Sequence, residues 1–112
     1  MTYKEVNTVI SSIGIDYAYD HFTDDTGHEL PFICFMYGNS SDLEADNINY
    51  QKIRDLDIEL YTENKDFELE ETVESILNAN GFVYTREETF IESERMYEVI
   101  YHTSVAISEE GD

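Results

Sequence analysis

Cationic side chains are scarce in this sequence: six lysines and arginines stand against 26 aspartates and glutamates, a formal charge of −20. Such a chain repels phosphates and anionic lipid headgroups and associates readily with basic surfaces, which argues against nucleic-acid binding through phosphate contacts. Cysteine occurs once, as Cys34 inside an apolar run, so no internal disulfide can form. Its neighbours raise the thiol's pKa and hide it, and it reads as a small core residue rather than a nucleophile. No apolar stretch approaches the roughly 18 residues of a membrane span, and no signal peptide or polybasic flank is seen, so a soluble chain, intracellular at synthesis, is expected. Catalytic signatures are missing as well. His21, His28 and His102 lie far apart, with no HExxH or CxxC spacing, and no glycine-rich loop could cradle a phosphate. Carboxylate pairs such as Asp24 with Asp25 and Glu87 with Glu88 sit in no apolar setting that would suit acid catalysis. Residues 42–49 alternate oxygen ligands but lack the glycine and terminal glutamate of a calcium loop. The expectation is a protein with no catalytic, cofactor or metal site.

What is present is patterned. With 41% hydrophobic and 13% aromatic residues placed periodically, the chain reads as folded, and its charge is expected on the surface. Its 112 residues suit one domain over 1–107, followed by a flexible acidic tail at 108–112. The organising stretch runs from Ile53 to Gly81. Leu56, Ile58 and Leu60 alternate with Asp55, Asp57 and Glu59 in a strand with one buried face. In the helix that follows, Leu69, Val73, Ile76 and Leu77 form one stripe. Asp66 is placed as N-cap, Glu68, Glu70 and Glu71 occupy the first turn, and Asn80-Gly81 is the stop.

Around that unit, Thr2 and Glu5 spell a capping box for a short helix carrying Val6, Val9, Ile10 and Ile13 and ending at Gly14. Residues 15–22 have strand character, residues 24–29 read as a polar turn, and Pro31 lets a strand begin after it. From Phe32 to Tyr37 every residue is apolar, which predicts a central strand covered on both faces and more buried than any other. Residues 38–49 are polar enough to read as a long mobile loop. Phe82 to Ile91 and Met96 to Ile107 read as a hairpin across Glu92–Arg95. The predicted fold is α+β, two helices packed on an antiparallel sheet. Of nine tyrosines, Tyr37, Tyr50, Tyr61 and Tyr84 fall at strand edges and turns, where they serve either as interface aromatics or as caps on a small core.

Several stretches resemble the tail-completion proteins (tail terminator and head-tail joining proteins) of siphophages and prophages of Gram-positive bacteria. They are Tyr19-Asp20-His21-Phe22, the Pro31-Phe32 strand start, the strand end from Asp57 to Thr62, Leu69-Glu70-Glu71, and Ile91-Glu92-Ser93-Glu94 followed by Met96-Tyr97-Glu98-Val99. The resemblance covers nearly the whole chain except the N-terminal helix, which no motif aligns. It implies a tail-terminator-like α+β domain without catalytic residues, monomeric or weakly associated alone. In the virion it would form a homo-oligomeric, hexameric ring that meets the tail tube protein and head connector proteins. The expected location is the bacterial host cytoplasm during assembly and then the head-tail junction, with no membrane contact. DNA would pass through such a ring unbound, and Asp42, Glu44 and Asp46 are the candidate residues of the lumen wall. Composition by itself leaves a rival, an acidic DNA mimic that inhibits a host nuclease or DNA-binding protein.

Overall fold

The computed structural model describes residues 1–22, 28–42 and 52–108, with the backbone alone for residues 39–42. Among these, α1 (Tyr3–Ser11), β1 (Asp16–Tyr19), β2 (Phe32–Asp42), β3 (Lys52–Thr62), α2 (Phe67–Ala79), β4 (Thr85–Ile91) and β5 (Met96–Ile107) follow in chain order. The strands form one sheet in the order β1-β2-β3-β5-β4. β3 is its middle strand and pairs along its whole length with β5, from Lys52 opposite Ile107 to Thr62 opposite Tyr97.

Alternation along β3 decides which face is covered. Leu56, Ile58 and Leu60 are at most 1% exposed and share their face with Ile33, Phe35, Val99 and Tyr101. Val6, Val9, Ile10 and Ile13 from α1 and Val73 and Leu77 from α2 close over that face in one apolar cluster. Each fully buried aliphatic side chain contributes roughly 2 kcal/mol relative to exposure, so this one-sided core supplies most of the driving force. Both helices are anchored at their starts. The Thr2 hydroxyl accepts from the Glu5 N–H at 3.0 Å while the Glu5 carboxylate accepts from the Thr2 N–H at 2.8 Å, and Asp66 accepts from the Leu69 N–H at 3.0 Å. Gly14 and Gly81 end them at φ +95° and +83°, backbone angles that favour glycine. No described helix is long and apolar enough to cross a membrane.

Five expectations need correction. β1 pairs with β2 in parallel, Asp16 opposite Phe32 and Tyr19 opposite Phe35, so the sheet is only mostly antiparallel. The twelve residues between these strands (20–31) are enough for the crossover that parallel pairing requires. Residues 38–42, read as the start of a loop, continue β2 after a register shift between Tyr37 and Ser40, as far as Asp42 opposite Lys52. Ladder hydrogen bonds need only backbone, so a polar stretch can pair where its partner strand is long. β2 is an inner strand, paired with β1 on one side and β3 on the other, but it is not covered on both faces. Phe32 and Met36 on its far side are half-buried, with the rings of Phe22, His28 and Tyr61 gathered around Phe32 in place of a second layer. β4 begins at Thr85 rather than Phe82, which is a buried core residue ahead of it. Finally, not all of the charge is on the surface, since Glu70 is 4% exposed.

Candidate interaction surface

The face of the sheet that the helices leave bare carries most of the chemistry. Its positions alternate with the core residues, so β3 presents Asp55, Asp57, Glu59 and Tyr61, β5 presents Glu98 and His102, and β4 presents Glu87. The register sets Asp57 directly opposite His102. His102 Nδ1 lies 2.7 Å from Asp57 Oδ1 and its Nε2 lies 3.1 Å from Glu87 Oε1, so one imidazole bridges three strands. The Glu87 and Asp57 carboxylates raise its pKa, because both hydrogen bonds favour the doubly protonated ring. Tyr61 Oη sits between Glu59 Oε1 at 2.8 Å and Glu98 Oε2 at 3.0 Å, and its one proton can serve only one of them. Partial burial, with Glu98 and Asp57 close by, raises the Glu59 pKa against the opposing effect of the Tyr61 hydrogen bond, so the site holds a proton more readily than an exposed carboxylate does. Cys34 lies on this face too and is buried, its thiol pushed up to about 11 by burial and by Glu59 and Asp20. A shallow depression of about 540 Å³ opens beside His102, lined by Asp55, Asp57, Gly38, Thr85 and Ser104 among others.

A second feature occupies the corner where the start of α1 meets β1 and β2. The Tyr37 ring is met edge-on by Tyr3 at 5.1 Å, stacked by Tyr19 at 5.9 Å and covered by the Arg54 guanidinium at 5.4 Å. Arg54 donates to the Tyr3 hydroxyl at 2.7 Å, and the Tyr19 hydroxyl accepts from the Tyr37 N–H at 3.0 Å. The Tyr37 hydroxyl and Arg54 Nε are buried without a partner, and burial with two neighbouring phenols pushes the Tyr37 pKa up to about 12. Tyr19 and Tyr3 remain 50% and 39% exposed.

A third cluster ties α2 to β4 on the helix side. The buried Glu70 carboxylate accepts from Lys65 and, at 2.6 Å, from Arg86. Lys65 also donates to Glu88 at 2.7 Å, and Tyr101 donates to Glu74 at 2.9 Å. The Lys65 contact holds the Glu88 carboxyl below its usual range.

The sequence candidates are thus dispersed. Tyr37 lies in the corner cluster, Tyr61 on the bare face, and Tyr84 is half-buried with its ring 5.3 Å from that of Tyr101. Asp42 closes β2, while Glu44, Asp46 and Tyr50 lie outside the described residues, as do Asp24, Asp25 and residues 109–112. Arg54, His102 and Glu70 were not singled out as functional from sequence. For Glu70 the signal was present, since positions 70, 73 and 77 share the spacing of the buried stripe. Among the described residues, no group of three or more His, Cys, Asp or Glu side chains could hold a metal ion.

No family model matches the chain, and no curated protein matches it. Sixteen chains of solved structures do match. One, from the virion of a native gene transfer agent particle, superposes with a TM-score of 0.56 over 94% of this chain and 90% of that chain at 12% sequence identity. At that identity the likeness is one of fold.

Proposed function

We propose that this protein is a structural component of a phage-like particle, a tail-completion or head-tail joining subunit that forms a ring on the end of the tail tube. The observation that carries the reading is the fold shared, over nearly all of both chains, with a chain of a gene transfer agent virion. The bare acidic face supports it. If the Tyr61 end of that face turns inward, Glu59 and Glu98, which flank the Tyr61 hydroxyl from neighbouring strands, form a wall that repels duplex phosphates and lets DNA slide past. The test is assembly. A particle-forming lysate that lacks the protein should accumulate unjoined heads and tails, and adding the purified chain should join them. Unchanged joining without the protein would remove this reading.

The carboxylates of the bare face favour one other reading, a DNA mimic that occupies the basic cleft of a nuclease or DNA-binding protein. Pull-down from host lysate separates the two, because a mimic recovers a basic nucleic-acid enzyme and a junction subunit recovers tail or connector proteins.

A further inference from the structure

The few cations of this chain are unevenly placed. Lys65 and Arg86 are engaged by Glu70, Glu74 and Glu88, and Arg95 sits in the turn between β4 and β5. The other three share one end of the helix-covered side. Lys4 is on the exposed face of α1, and Arg54 and Lys52 alternate onto that side at the start of β3. Arg54 is joined to α1 by its bond to Tyr3, in the corner where Tyr3 and Tyr19 are exposed. The carboxylates of Asp55, Asp57 and Glu87 lie on the opposite face of the sheet, around the depression beside His102. One chain therefore carries a cationic, tyrosine-rich corner and a separate acidic hollow.

We infer that the Tyr3–Tyr19–Tyr37–Arg54 corner, with Lys4 beside it, docks head-to-tail on the Asp55–Asp57 hollow of a second copy of this chain. The inference rests on the ring reading and names its contact surfaces. Tyrosine and arginine are among the side chains that most often anchor interfaces, tyrosine because its ring covers a large area at low entropy cost and arginine because its planar fork stacks on rings and pairs with carboxylates. The second copy is chosen by charge. Because the corner and the hollow lie on opposite faces of the sheet, pairing one with the other runs head to tail and sets cations on acids at every step. Contacts between two different patches of one chain repeat around a rotation and close into a ring where that rotation divides a full turn.

Cysteine trapping tests the pairing without touching the invoked charges. Thr8→Cys lies on α1 one turn from Lys4, Ser104→Cys lies on β5 opposite Asp55, and both sites are exposed. Under mild oxidation the T8C/S104C chain should form disulfide-linked oligomers several-fold faster than a T8C/S93C control, whose second cysteine is in the β4–β5 turn. Adding Asp55→Lys should bring the rate down to that of the control, and adding Lys4→Glu as well should restore it. Equal rates for the two cysteine pairs, or no rescue by the charge swap, would overturn the inference. Loading of the wild-type chain on tail tubes is scored separately. Loading without trapping leaves the ring reading standing and removes only this contact, whereas absence of loading removes the ring.

Discussion

His102 shows how a residue that looks idle in sequence acquires a role from register. Alternation alone puts His102 and Asp57 on outward faces, but only strand pairing sets them opposite one another, with Glu87 on the far side. Pairing depends on the whole ladder rather than on any local pattern, so this bridge was not legible. Its sign with pH follows from the raised pKa. The imidazolium's stabilisation is fully present below its ordinary value of 6.5 and is lost as pH rises through the higher folded value. His102→Gln should therefore lower the melting temperature most near about pH 6 and least near about pH 9, as thermal denaturation across that range will show. A constant deficit at all pH values would mean that the ring acts by packing alone. Glu70 makes the complementary case. Its place on the apolar stripe was readable, but its two cations come from Lys65 and from β4, which no helical pattern reveals. Glu70→Ala leaves Lys65 and Arg86 short of a partner and should cost about 2 kcal/mol in urea unfolding, a moderate loss because both cations keep access to water.

At the scale of elements, the helices were the most legible part. The caps at Thr2 and Asp66, the stops at Gly14 and Gly81 and the apolar stripes all stand where the sequence puts them, because each is set by neighbours within a turn or two. Asp66→Ala should cost about 1 kcal/mol and Leu77→Ala about 3 kcal/mol, the second larger because it opens a cavity beneath α2. Strand ends were the least legible. Residues 38–42 carry loop-like side chains, yet their backbone is held by β3, and β1 is turned parallel by a crossover whose path no periodicity encodes. Hydrogen exchange distinguishes the two descriptions of residues 38–42: those amides that point at β3 should exchange slowly, whereas a mobile loop would exchange throughout.

For the whole molecule, asymmetry matters more than the charge total. A one-sided core leaves one face of the sheet bare, and acids fill that face while three of six cations collect at the opposite corner. The acidic excess was plain from composition, but its segregation to one face needed the strand register, and the corner needed the contact between α1 and Arg54. Mutual repulsion at −20 should keep the isolated chain monomeric at low ionic strength, with association growing as salt screens it, which light scattering at two salt concentrations will register. A salt-insensitive dimer would contradict that expectation. Cryo-electron microscopy of tail tubes incubated with the purified protein addresses the ring directly. The expected image is a closed ring on the tube end with the Tyr61 end of each bare face, and so Glu59 and Glu98, turned toward the lumen. Bare tube ends at saturating protein, or a ring with those carboxylates facing outward, would contradict it.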